Sequence, residues 1–150
     1  MTDLPTTARF LLPLLATAQA QKEITHNEAL TLLDALAHST IEDGPQADPP
    51  GTAAPGQCWL VGDAATGDWT GSAGSLAVST PGGWRFVAPR PGMRVLRLAD
   101  NVQLRFDGDG WAEPAVVANP DGGTVVDSEA RAAIDALILL LSAQGLLISG

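Results

Sequence analysis

Two histidines and one cysteine are the side chains of this sequence with the widest chemical repertoire: His26, His38 and Cys58. The histidines stand twelve residues apart in or beside one predicted helix. At 100° per residue they point about 120° apart and lie roughly 18 Å from each other along the axis, so they cannot share a metal. His38, near the end of that helix, reads as a residue that compensates the dipole, and His26 as a polar first-turn residue. Cys58 falls in a predicted strand beside Trp59, where a buried and inert thiol is expected. Asp107-Gly-Asp109-Gly resembles the start of a calcium loop, but Ala118 occupies the place of the bidentate glutamate, so a turn is the better assignment. Gly62 to Gly67 lacks the lysine and hydroxyl of a phosphate-binding loop, and Gly71-Ser-Ala-Gly74 is not a nucleophile elbow. No pair of acids is singled out as glycosidase carboxylates. The chain therefore reads as a non-enzyme, with no catalytic residues, no metal site and no cofactor.

The elements that would position side chains begin with Thr25-His26-Asn27-Glu28, which fits a capping box. The helix it predicts carries Leu30, Leu33, Leu36 and Ala37 on one apolar face, turns Glu28, Thr31 and Asp34 toward solvent, and ends by about Ile41. Residues 43–56 hold four prolines and three glycines, support neither helix nor central strand, and read as a linker or an extended crossing segment. From Gln57 short strands follow, QCWLV, SLAVST, GWRFV, MRVLRL and VQLRF, each bounded by turn residues. Turns such as Pro81-Gly82-Gly83 and Asp107 to Gly110 predict hairpins, hence all-antiparallel pairing. Trp69, Trp84 and Trp111 each follow a turn rich in glycine or aspartate, and with Trp59 they form either an aromatic core or an exposed row. Asp127-Ser128-Glu129 starts a second helix, whose stripe of Ala130, Ala133, Ile134, Leu137, Leu140 and Leu141 is widened by Ile138 and Leu139. Gly145 is its expected C′ residue.

These 150 residues suffice for one domain with helical attachments, and a formal charge of −9 argues against binding to nucleic acid or to anionic membrane surfaces. The apolar runs fall short of the ~20 residues that a bilayer demands, so no membrane insertion is expected. Against the acidic whole, Arg85, Arg90, Arg94, Arg97 and Arg105 share their stretch with a single acid, Asp100. Solvated strand edges explain this blandly; a contact for something acidic, a polysaccharide or a neighbouring subunit, is the sharper reading. Arg9, the run Phe10–Leu15 and Ala18-Gln19-Ala20 imitate an export signal, but Asp3 cancels the leading charge and Pro13 breaks the core. The segment reads instead as an arm that buries Phe10, Leu11, Leu12, Leu14 and Leu15 against another surface. No charged side chain occurs from Ala136 onward, so self-association is the simplest cover for this tail and the arm.

The stretch LPLLATAQAQKEITHNEALTLLDAL resembles the signature of an uncharacterised family of alphaproteobacterial prophages and gene transfer agents, found in tail-fibre, head-spike and other attachment proteins. The pattern is Leu12-Pro13, Gln19-Ala20-Gln21-Lys22-Glu23, Thr25-His26-Asn27-Glu28-Ala29-Leu30 and Leu33-Asp34, continuing through Cys58–Gly62, Trp69, Gly82-Gly83-Trp84 and Asp109-Gly110-Trp111. The resemblance implies a structural virion part, the base or adaptor of a host-attachment spike or fibre, assembled in the bacterial cytoplasm. Relatives are often longer, so the resemblance leads one to expect an anchoring module or small adaptor here. No catalytic motif is transferred.

The expected fold is α+β, mainly β. An N-terminal arm and helix (1–42) is followed by a Pro/Gly linker (43–56), a small antiparallel β domain, sandwich or barrel-like (57–118), and a C-terminal oligomerising helix with an apolar tail (119–150). The candidate docking surface comprises Phe10, Leu11, Leu14, Gln19, Gln21, Lys22, His26 and Asn27 on the arm and first helix, and Ile134, Leu137, Ile138 and Leu141 on the second. Lys22 and Glu23 are expected to pair, and Gln19, Gln21 and Asn27 to bond to the backbone of the arm or of a sister chain. Expected partners are further copies of the chain, with a trimer favoured over a pentamer, and other particle proteins such as capsid, tail or fibre. The alternative is a module binding host capsule or surface polysaccharide through Trp69, Trp111, Arg94 and Arg97.

Overall fold

The computed structural model of the chain describes residues 4–16 and 22–150, with Lys22 described in its backbone alone. Gln19 and Gln21, the side chain of Lys22, and Ala18 and Ala20 of the signal-like pattern lie outside the described residues. The fold is α+β and mainly β, and its sheets do not close into a barrel. In chain order the elements are α1 (Lys22–Ala37), β1 (Thr40–Ile41), β2 (Cys58–Leu60), a 3-10 turn (Gly67–Trp69), β3 (Leu76–Thr80), β4 (Gly83–Val87), β5 (Arg94–Arg97), β6 (Val102–Phe106), β7 (Trp111–Ala112), β8 (Val116–Val117), α2 (Ser128–Ala143) and β9 (Ile148–Ser149). They group into two compact units, Met1–Pro89 and Arg90–Gly150. The division falls inside the stretch 57–118 that the sequence suggested as one β domain.

In the first unit β2, β3 and β4 form an antiparallel sheet in that order. Register places Trp59 opposite Ala77 and Ser79 opposite Trp84 on one face, and Cys58 opposite Val78 and Leu60 opposite Leu76 on the other. Leu76, Ala77, Val78 and Ser79 are all buried, as a central strand covered on both faces requires. On one side Trp59, Val61, Trp69 and Ala77 make the core cluster, with Trp84 packed against it. The ring of Trp84 meets those of Trp59 and Trp69 edge-on at 5.7 and 5.2 Å, the favoured aromatic geometry.

Of the two readings of segment 43–56, linker or extended crossing segment, the structure shows the second. Its backbone bonds along β2: Leu60 N–H donates to Asp43 O, Gln46 N–H to Leu60 O and Gly62 N–H to Gln46 O. The prolines exclude a helix there, and the pairing needs only the few N–H groups that non-proline residues supply.

Helix α1 starts by Lys22, so Thr25 and Glu28 sit inside it rather than at its cap, and Glu28 pairs with Arg85 at 2.8 Å instead. Its orientation also differs from the expected one. Asp34 is 2% exposed while Leu33 is 58% exposed, because the covered face is the one on which the arm lies.

The second unit starts with an antiparallel meander of β5, β6 and β7, in which Val95 lies opposite Leu104 and both are buried. Strands β8 and β9 pair in parallel, contrary to the all-antiparallel expectation, because α2 intervenes and carries the chain back to the start of the ladder. The ends of α2 follow their local signals. The Asp127 carboxylate accepts from Ala130 N–H at 2.9 Å. At the other end Gly145, at φ 68°, closes a Schellman motif, its N–H donating to Ser142 O while Leu146 N–H donates to Leu141 O.

Candidate functional site

The arm of the first unit is a small hairpin. Thr7 N–H donates to Leu12 O and Leu14 N–H to Pro5 O, with Leu11 at φ 54° in the turn. Two side chains that sequence reasoning passed over fasten it. The Asp34 carboxylate accepts Thr7 Oγ1 at 2.7 Å and the N–H groups of Arg9 and Phe10 at 2.8 Å each. Arg9 in turn donates to four backbone carbonyls, Gly56 at 2.6 Å, Ala35 at 3.1 Å, His38 at 3.0 Å and Thr40 at 3.1 Å. Helix α1 has no basic residue in its last turn, and Arg9 supplies the missing donors and positive charge from outside. Asn27 completes the attachment through its amide, which accepts from Leu15 N–H and donates to Leu15 O, both at 2.9 Å.

With its polar backbone satisfied from within, the arm turns Phe10 and Leu11 outward, Leu11 to 67% exposure. Leu14 is half-buried and helps to line a cavity of about 370 Å³ with Thr31, Asp34 and Val78. His26 is exposed.

The second candidate surface is α2. Ile134, Leu137 and Leu141 recur at spacings of three and four, the seam spacing of packed helices, and Leu137 is 57% exposed. Ile138 is already covered at 5% exposure and leaves the set of docking residues. Leu139, Leu140 and Leu146 widen the open apolar surface.

Of the candidate sugar contacts, Trp69 is 0% exposed beneath Trp84 and offers no face to a ligand. Arg97 is committed, forking onto both Asp100 carboxylate oxygens at 2.9 and 2.6 Å and reaching Glu113 at 2.6 Å. That pairing raises its pKa further and holds Asp100 below the usual carboxylate range. Trp111 is half-buried, its ring tilted on Phe106 at 5.5 Å. Arg94 is exposed, bonding to Gln103 Oε1 at 3.1 Å.

Cys58 is buried with its thiol pushed up to about 11, chiefly by burial. Asp107 accepts from the N–H groups of Asp109 and Gly110, which makes the Asp107–Gly110 segment a closed turn. Among the described residues no group of histidine, cysteine and acids is arranged to hold a metal, and no helix is long and apolar enough to cross a membrane.

No curated protein matches the chain. A family model described as protein of unknown function, DUF2793, matches residues 26–112, from the first turns of α1 to the last residue of β7. The arm that Arg9 and Asp34 fasten and the exposed helix α2 flank that match on either side. With more than half of its length inside it, the chain belongs to the DUF2793 family.

Proposed function

We propose that this protein is a non-enzymatic structural component of a phage-like particle, a gene transfer agent or prophage, serving as base or adaptor of a host-attachment spike or fibre. The observation that carries this reading is the open seam of Ile134, Leu137 and Leu141 on a helix whose ends are firmly capped. An apolar helix face of this extent in water is unfavourable, and copies of the same face cover one another in a symmetric bundle. The signature around Gln19 to Leu30 supports the particle assignment. Phe10 and Leu11, exposed on a tightly held arm, then serve as the contact to a capsid, tail or fibre protein.

Light scattering coupled to size exclusion tests assembly. The native chain is expected to run as an oligomer, a trimer first of all, and Ile134→Asp with Leu137→Asp as a folded monomer. A native monomer, or an unchanged oligomer mass in the double variant, overturns the assembly reading. Antibody labelling of purified particles tests location, and particles lacking the chain refute it.

Sugar binding is the second reading. Burial of Trp69 and the commitment of Arg97 remove two of its four contacts, and the exposed guanidinium of Arg94 favours what is left.

A further inference from the structure

Strands β5 and β6 place Arg94 directly opposite Arg105. Opposed residues of an antiparallel pair have Cβ atoms about 5 Å apart, and like charges there destabilise the ladder. Neither guanidinium makes an ion pair among the described residues, although the Asp107 carboxylate feels the charge of Arg105. Arg94 bonds to the neutral Gln103 amide, and the Arg105 side chain has no hydrogen bond or ion pair among the described residues. The two nearby acids keep their charge but form no hydrogen bond to either arginine: Asp107 accepts backbone N–H groups of its own turn, and Glu113 is bonded by Arg97. The chain as a whole carries −9, so this cationic pair runs against its general charge.

The pair lines a hollow of about 260 Å³ whose remaining wall includes Gln103, Glu113, Pro114 and Leu146. Two guanidinium forks suit an oxyanion. The Glu113 carboxylate on the same wall opposes a dianion such as phosphate, but can accept hydroxyl donors, and Pro114 and Leu146 offer apolar surface to the face of a ring. A single carboxylate on a hydroxylated ring meets all three conditions, and the hollow lies below the ~300 Å³ at which drug-sized sites begin, which suits one such ring.

We infer that Arg94 and Arg105, with Gln103, form a site for an acidic sugar, a uronate unit of a polysaccharide. This inference rests on the sugar-binding reading. The repulsion between the two arginines is relieved when the carboxylate bridges them, so a stability cost in the free protein becomes selectivity in the bound one.

The test is an amide NMR titration of the full chain with D-glucuronate, with D-glucose, acetate and inorganic phosphate as controls. Saturable shifts centred on Arg94, Gln103, Arg105 and Leu146 are expected with glucuronate alone. Binding should weaken at least about tenfold in Arg105→Gln and in Arg94→Gln, as loss of a charge-assisted hydrogen bond requires. Without ligand, Arg105→Gln should melt higher than the native chain. Equal binding of glucose, or undiminished glucuronate binding in both variants, overturns the arginine site while leaving sugar binding in place. Equal binding of acetate or phosphate overturns the sugar class, and absence of any sugar binding sinks both. A lower melting temperature for Arg105→Gln makes the pair structural and likewise overturns the inference.

Discussion

Asp34 accepts three donors from a segment that precedes it by some two dozen residues, and nothing local marks it for that role. By helical spacing it belongs with Glu28 and Thr31 on a polar face, so the sequence alone turns it to water; only the return of the arm makes it a buried acceptor. Arg9 was invisible in the same way, since its four carbonyl partners are spread from Ala35 to Gly56. Replacing Asp34 by Ala leaves a buried hydroxyl and two N–H groups without acceptors. It should cost about 2–4 kcal/mol, read as a lower urea midpoint, and should open residues 4–16 to proteases before the rest of the chain. Cys58, by contrast, was legible from its apolar neighbours. With its thiol pushed up to about 11, it should resist iodoacetamide at pH 8 in the folded protein and react once urea unfolds it. Acid tests two further carboxylates. The N–H groups of Gly110 and Asp109 lower the pKa of Asp107, and Arg97 lowers that of Asp100. Both bind protons more weakly in the folded chain than in the unfolded one. Their stabilising effect is thus full above the ordinary aspartate value of about 3.9 and fades as pH falls through their folded values. Urea midpoints measured between pH 5 and 2.5 should fall less steeply in the double variant Asp100→Asn, Asp107→Asn than in the native chain.

The elements divide by whether their signals are local. Both ends of α2 could be read from single residues, Asp127 and Gly145, because caps are made by the chain within a turn of the helix. The start of α1 could not, because Thr25 to Glu28 matches a capping box while the helix already runs from Lys22. Nor was the parallel pairing of β8 with β9 legible: two-residue strands on either side of a helix carry no periodicity, and hairpin turns elsewhere suggested antiparallel neighbours throughout. Gly145 does more than end its helix. A Cβ there would clash with Asn101 O and stand 3.1 Å from Gln103 N, and Gln103 N–H donates to Gly145 O at 3.0 Å. Gly145→Ala therefore meets both a left-handed backbone and a neighbouring strand. A loss of about 2–4 kcal/mol in urea denaturation is expected, whereas Gly71→Ala, left-handed but with open space around it, should lose only about 1 kcal/mol.

At the scale of the molecule, the mainly β class followed from the glycine and proline content and the short alternating runs. The division at Pro89 did not, because the strands on either side of it are alike in length and composition. Self-association belongs to this scale. If the seam of Ile134, Leu137 and Leu141 closes between copies, the melting temperature should rise with protein concentration, and the rise should vanish in the Ile134→Asp, Leu137→Asp variant.

The distribution of indoles has one more consequence. Trp59, Trp69 and Trp84 gather in the first unit, whereas Trp111 stands in the second. A chain in which Trp111 is replaced by phenylalanine would fluoresce from the first unit alone, and the difference from the native emission would isolate the second. Optical melts could then tell whether the two halves come apart together or in turn.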